Sequence, residues 1–382
     1  MNPAEESPET GSFAPRCLSL DLEVSVQDAQ IHHFGAVRGD TKESLVFPKD
    51  GVNFSSALSR LDDLADGAAF LLGHNITAFD KPHLVAAKPD LRLLKLPVVD
   101  TLQLNPLAFP RNPYHHLVKH YQDGQLKRGR LNDPLLDAQL TLDLFRDQSA
   151  AFRDNANAAL LLAWHWLTTI DSVASGLNAF FMTLRRKPRP TAIEAAETIR
   201  QLLKDRSCQT CAQEILTAPQ KHGWPLAYTL AWLSVSGGNS VMPPWVRHQF
   251  PAAGALVRRL RDKACDDPAC GWCRERHDAH KELARWFGFN QFRPEPAAED
   301  GRPLQQAIVE AVMRGEHVLG ILPTGTGKSL CYQIPALSRY DKTGALTVVI
   351  SPLVALMADQ VAGLDKRGIG ACAAINGLLS MP

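Results

Sequence analysis

The sequence predicts an α/β protein with a helical middle, and three observations carry that expectation. Near the amino terminus, CLSLDLEVSV alternates Leu18, Leu20, Leu22 and Val24 with Ser19, Asp21, Glu23 and Ser25, the period of a strand. Near the carboxyl terminus, ALTVVI (345–350) is a short apolar run consistent with a strand buried on both faces. Between about 151 and 282 the pattern is helical, with frequent breaks. A length of 382 residues gives a prior of two to three domains at roughly 150 residues each.

Taken in order, residues 1–15 are rich in Pro, Glu and Ser and poor in apolar residues, as in a disordered tail. After the first strand, further strands are expected at His33–Val37 and Ser44–Phe47, a helix around Ser56–Leu64 and an apolar stretch at Ala68–Leu72. VVDTLQL, a mixed helical region and the helix of LNDPLLDAQLTLDLFRDQ complete an α/β segment over 16–150. Helices at Ala156–Thr169 and Leu177–Leu184 follow. Thr191 and Glu194 have capping-box spacing and open a helix toward Lys204. SVSGGNSVMPPWVRHQFP is too rich in turn formers for a continuous helix. A third segment, 283–382, returns to α/β, with a strand expected at Val318–Leu322.

Composition excludes several classes. Hydrophobic residues at 45% and charged residues at 21% are ordinary for a globular chain. A formal net charge of +1 means that any grip on a polyanion is local. The apolar run Ala158–Trp164 ends at His165, well short of the ~20 residues of a membrane span. The acidic, Pro-rich start is not a signal peptide. Five of eight cysteines fall between 208 and 273, pointing to metal ligation in a reducing compartment, and a cytoplasmic location is expected.

Asp21 and Glu23, two apart on a strand, project from one face and invite a divalent cation such as Mg²⁺. Asp80 follows in LLGHNITAFDKPHL, and Asp137 lies in NDPLLDA. This set resembles the DEDD 3′→5′ exonucleases, the DnaQ-like and RNase T group, over roughly residues 16–150. The resemblance implies an RNase H-like fold in which Asp21, Glu23, Asp80 and Asp137 hold two Mg²⁺ or Mn²⁺ ions for hydrolysis at a 3′ end. Glu23 is then the candidate to meet the terminal 3′ hydroxyl. In the family's histidine subclass a general base lies five residues before the last Asp, and here Asn132 stands there, which cannot accept a proton near neutral pH. Four before, the place of the base in the tyrosine subclass, is Asp133. His115, His116 and His120 are upstream histidines that either fold over the site or pack. Lys127, Arg128 and Arg130 either meet substrate phosphates or form a solvated loop. Two alternatives stay open: a catalytically inactive fold that binds 3′ ends, and an exonuclease directed at RNA.

LPTGTGKSLCYQIPAL contains Thr324, Gly325, Thr326, Gly327, Lys328 and Ser329, a loop whose amides can face phosphates, with Lys328 reaching them and Ser329 on Mg²⁺. Leu322 replaces the first Gly of the strict motif. With VVISPLVALMADQV and FGFNQFRP, the segment resembles the superfamily 2 helicases of the RecQ type. That resemblance implies ATP binding, with Phe289, Arg293 and Gln305 in the adenine-recognition region, although EPAAEDGRPL separates FRP from the glutamine. It also puts Ser351, Pro352 and Leu353 at the DNA backbone. No D-E-x-H occurs and the chain stops at Pro382, so a partial first RecA-like lobe, part of a larger helicase, is expected.

CDDPACGWCRERHD places Cys265, Cys270, Cys273 and His277 at zinc-ligand spacing. Two alternatives are that Cys208 and Cys211 pair with Cys270 and Cys273, and that the group holds an iron–sulfur cluster. Trp224, Trp232, Trp245, Trp272 and Trp286 are expected to pack rather than to stack on bases. The order exonuclease, metal-bearing connector, helicase resembles Werner-type helicase–nucleases. It implies a genome-maintenance enzyme acting on single-stranded or forked DNA with 3′ ends.

Overall fold

The computed structural model describes residues 15–112, 115, 117, 121–122, 125–126, 133–153, 158–171, 176–235 and 242–376. The chain forms two units, one of residues 1–202, 218–234 and 243–253, the other of 203–217, 235–242 and 254–382. Residues 151–282, expected as one connector, are thus divided between the two.

The first unit is built on a five-stranded mixed sheet. Its strands are β1 (Cys17–Val24), β2 (Ile31–Arg38), β3 (Ser44–Phe47), β4 (Phe70–Gly73) and β5 (Val98–Asp100), in the order β3-β2-β1-β4-β5. The first three pair antiparallel, whereas β4 and β5 run parallel to β1. Helices α1 (Phe54–Leu64) and α2 (Asp80–Ala87) connect strands, and α3 (Thr101–Ala108) and α4 (Pro134–Phe152) follow β5. Leu18, Leu20, Leu22, Phe34, Leu58, Leu61 and Leu71 form a core under the sheet. Burial of each such side chain contributes roughly 1.5–3 kcal/mol.

Helices α5 (Ala158–Thr168), α6 (Gly176–Arg185), α7 (Ala192–Leu203), α9 (Gly223–Ser234) and α10 (Pro244–Gln249) follow, α8 (Gln209–Leu216) lying in the second unit. α5 is strongly apolar and buried from Ala163 to Thr168. Its Trp164 packs on Phe152 and donates its indole N–H to the Ala227 carbonyl at 3.1 Å. The expected capping box forms: the Thr191 amide and hydroxyl donate to Glu194 Oε2 at 2.8 and 2.9 Å, and the Glu194 amide donates back at 3.2 Å. Trp224 and Trp245 pack against Tyr228, and Trp232 is buried.

The second unit holds α8, most of α11 (Pro251–Arg261), α12 (Gly271–Arg276), α13 (Ala279–Phe287), α14 (Leu304–Met313), α15 (Ser329–Thr343) and α16 (Val354–Asp365). Leu283, Phe287, Val309, Ile334 and Leu364 make its core. The strands expected at Val318–Leu322 and 345–350 are not formed. Leu319, Ile321, Leu346 and Ile350 are 82–91% exposed, and neither segment joins a ladder among the described residues. A parallel strand is satisfied only by neighbouring strands and by helices over both faces, and an apolar run cannot supply its own partners. No helix among the described residues is long and apolar enough to cross a membrane.

Candidate functional site

The carboxylates meet because a helix start is allowed very close to the sheet. Asp21 pairs in register with Gly35 of β2. A Cβ on Gly35 would lie 2.2 Å from the Leu135 amide nitrogen and 2.4 Å from the Pro134 carbonyl carbon. The missing side chain therefore lets the first turn of α4 sit directly on β2. Ser19 Oγ then donates to the Ala138 carbonyl at 2.8 Å and fixes the helix along β1. Asp137, in that first turn, comes within 4.8 Å of Asp21 and Glu23, carboxylate oxygen to carboxylate oxygen.

Asp80 arrives from the other edge of β1. The ladder with β4 ends at Ser19, and the Leu22 amide beyond it donates to Asp80 Oδ1 at 3.0 Å. Asp80 is thereby tied to the residue between Asp21 and Glu23. Burial, then the negative charge of Asp21, push its carboxyl well above the usual range. Asp80 stands outside the three-carboxylate group itself. The turn that delivers it is shaped by Asp100. Its carboxylate accepts the amides of Asn75, Thr77 and Leu102 at 2.9, 3.1 and 3.0 Å. Asn75 takes a positive φ of 72°, which asparagine tolerates better than most residues. Asp100 was visible in VVDTLQL, but nothing in its spacing tells a turn-former from a ligand.

This all-oxygen donor set fits hard divalent cations such as Mg²⁺ or Mn²⁺. Asp133, at the place of the tyrosine-subclass base, is the N-cap of α4, and its Oδ1 accepts the Leu136 amide at 3.1 Å. His115 is buried beside Trp245, with Nε2 2.6 Å from the Asn112 carbonyl, so it packs. Asn132, His116, His120, Lys127, Arg128 and Arg130 lie outside the described residues.

In the second unit the loop expected to face phosphates is held by side-chain hydrogen bonds. Gly325 and Gly327 adopt φ of 79° and 77°, which glycine alone reaches without cost. Gln305 Nε2 donates to the Gly327 carbonyl at 2.8 Å, and the Arg293 guanidinium donates to that of Gly325. Thr326 Oγ1 donates to Pro323 at 2.8 Å, and Lys328 Nζ to Leu322 at 3.1 Å. Ser329 opens α15. The stretch separating Arg293 from Gln305 in sequence folds back on itself. Ala297 bridges to Pro303, and the Leu304 amide donates to the Pro296 carbonyl at 2.8 Å. Arg293 and Gln305 are therefore adjacent, and the Arg293 amide lies 3.5 Å from Gln305 Oε1. Phe289 is half-exposed beside Arg367, and Thr324 is exposed. Ser351 Oγ lies 3.4 Å from the Leu353 amide at the start of α16, a turn with exposed side chains at Pro352 and Leu353.

The expected cysteine–histidine set is changed by one member. Cys208 joins Cys265, Cys270 and Cys273, whereas His277 is not in the group. Its Nδ1 lies 3.4 Å from Lys342 Nζ. The α12 helix stops at Arg276 with His277 as its C-cap. Cys211 instead turns its amide to Cys208 Sγ at 3.5 Å.

Residues 302–380 match the DEAD/DEAH box helicase family. A stretch of the chain is 50% identical over 70 residues to the ATP-dependent helicase SGS1 of Saccharomyces cerevisiae, covering 18% of this chain and 5% of that one. It is 41% identical over 106 residues to the ATP-dependent DNA helicase RecQ of Haemophilus influenzae, 28% of this chain and 15% of the relative. Human ATP-dependent DNA helicase Q4 is 49% identical over 71 residues, 19% and 6% of the two chains. The aligned stretch thus spans 5–15% of these three relatives. No solved structure matches. The carboxyl-terminal segment therefore carries a helicase-type sequence similar to RecQ helicases.

Proposed function

We propose that this chain belongs to a DNA-processing protein of the RecQ class that joins a 3′→5′ exonuclease domain to an ATP-driven helicase. The observation that carries the nuclease half is the convergence of Asp21, Glu23 and Asp137 within 4.8 Å, with Asp80 tied to the amide between the first two. The five-stranded mixed sheet, in the order β3-β2-β1-β4-β5 with Asp21 and Glu23 on its central strand, supports the same reading. Two divalent cations would supply an activated water and stabilisation of the departing 3′ oxygen. Asp21, Glu23, Asp80 and Asp137 would hold them. Glu23, at the open end of β1, is the group to orient the terminal 3′ hydroxyl.

The helicase half rests on the loop geometry and on the names of its relatives. The amides of 325–329 would cradle the phosphates of ATP, with Lys328 on the outer phosphates and Ser329 on Mg²⁺. Gln305 and Arg293 hold the loop carbonyls and so preset that cradle. DNA unwinding is the activity this reading gives the helicase half. Most of its affinity for DNA would come from phosphate contacts, so binding should fall steeply with salt.

A second reading is a nuclease fold that only holds 3′ ends. The engaged carboxylate of Asp133, which caps α4, favours it, because that residue is not available as a base without uncapping the helix. Digestion of 5′-labelled single-stranded DNA with Mg²⁺ or Mn²⁺, beside Asp21→Ala, separates the two. A ladder of shortened products absent from the variant establishes the exonuclease. Binding without a ladder makes this unit a DNA-holding module.

A further inference from the structure

Away from the carboxylates and the phosphate loop, four cysteines of the second unit turn their sulfurs to one point. The Sγ atoms of Cys208, Cys265, Cys270 and Cys273 all lie within 4.8 Å of one another. Cys265 and Cys273 are 3.5 Å apart, and Cys208 and Cys270 are 3.8 Å apart. These separations are far longer than the ~2.05 Å of a disulfide, and all four are free thiols. Four thiolates around one zinc at a Zn–S distance of about 2.3 Å form a tetrahedron with edges of about 3.8 Å. A four-iron cluster puts each ligand sulfur on a different iron and spreads the sulfurs much further.

We propose that Cys208, Cys265, Cys270 and Cys273 bind one structural Zn²⁺ that clasps the start of α8 to the 265–276 segment. Two amides already point at these sulfurs, Cys211 to Cys208 at 3.5 Å and Cys265 to Cys273 at 3.4 Å, as supporting donors do in thiolate sites. A bound divalent cation would hold all four as thiolates, because ligation deprotonates the thiol outright.

The clasp also has a mechanical consequence. Its helix α12 carries Trp272, whose indole donates to the Arg261 carbonyl at 3.2 Å and whose ring is met by the guanidiniums of Arg261 and Arg276 at 4.9 and 5.3 Å. Arg276 and Arg261 in turn reach Asp341 at 3.4 and 4.0 Å, near the end of the helix that begins at Ser329. The metal therefore braces the far end of the phosphate-loop helix. This inference is independent of the nuclease reading.

Metal content of the 382-residue chain, purified without chelator, tests it beside Cys208→Ser, Cys211→Ser and His277→Ala. The expected result is about one zinc per chain in the unaltered protein, Cys211→Ser and His277→Ala, and near none in Cys208→Ser. Hydrogen exchange over 329–343 should quicken when zinc is stripped. Zinc kept by Cys208→Ser but lost by His277→Ala would overturn the ligand set. Iron with inorganic sulfide, or no bound metal, would overturn the ion. Should Cys208→Ser fail to fold, Co²⁺ substituted into the unaltered chain decides. A four-thiolate absorption spectrum supports the site, and a three-thiolate, one-imidazole spectrum overturns it.

Discussion

Gly35 of β2 and Asp80 at the start of α2 decide whether the carboxylates can act together. Gly35 matters through the side chain it lacks, since a Cβ there would overlap backbone atoms of Leu135 and Pro134. Gly35→Ala is expected to lift the start of α4, to destabilise the chain by about 1–3 kcal/mol as overpacking does, and to weaken Mn²⁺ binding. Calorimetric titration with Mn²⁺ that matched the unaltered chain would sink that account. Asp80 acts through both charge and hydrogen bonding. Asp80→Asn keeps an oxygen for the Leu22 amide but removes the charge. Its melting temperature should therefore stay close to that of the parent while divalent-cation affinity drops, and equal losses in both would refute the assignment.

At the scale of elements, ionisation ties helices together. Asp341 of α15 pairs with Arg285 at 2.9 Å and with Arg276 at 3.4 Å, and only 12% of its side chain is exposed. Burial works against its charged form, but Arg285, Arg276 and Arg261 outweigh burial and hold the carboxyl below its usual range. A depressed carboxyl stabilises the fold above the unfolded-state pKa of about 3.9, and that contribution is lost as pH falls through the folded value. Asp341→Asn should cost about 3 kcal/mol near neutral pH, because three guanidiniums lose their counter-charge. Chemical denaturation at pH 7 measures it, and a change near zero would contradict the pairing.

Histidine sets a second pH window at the same scale. Burial pushes His165 down to about 4, with Nε2 2.8 Å from Asn178 Oδ1 and Nδ1 2.8 Å from the Arg185 guanidinium. Donation by Arg185 leaves Nδ1 as acceptor and Nε2 as the protonated nitrogen. Burial, then the charge of Lys342, lower His277 to about 4 as well. Both must charge on unfolding in mild acid, so their stabilising contribution is full above about pH 6.5 and declines toward pH 4. Thermal melts from pH 7 to 4 should show that decline, and His165→Gln should flatten it.

Over the whole molecule, the two units differ in how completely they satisfy their apolar residues. In the first, every strand has a partner and alternating leucines find a core. In the second, the segments around Leu346 and Ile350 leave large apolar side chains in solvent. Contiguous exposure of that kind promotes association. Leu346→Lys with Ile350→Lys should raise the concentration at which the chain stays monodisperse, while stability changes by no more than about 0.5 kcal/mol. Unchanged light scattering would show that these segments are not the sticky surface.

Local patterns were legible from the residues alone because they depend on neighbours in the chain. β1 announces itself by alternation, the α7 capping box by Thr191 and Glu194, and the phosphate loop by glycines that must take positive φ. Asp21, Glu23, Asp80 and Asp137 could be named as a set but not assembled. Their meeting depends on Gly35 opposite Asp21, on the Leu22 amide left beyond β4, and on Asp100 shaping a turn. The choice of Cys208 over His277 was equally out of reach of spacing, because it depends on where Cys208, 57 or more residues upstream of the other three cysteines, is laid. Sequence determines which groups are present and how each segment tends to bend. Which of them share a site is decided by close packing, where a missing Cβ or one unladdered amide sets distances that no local pattern records.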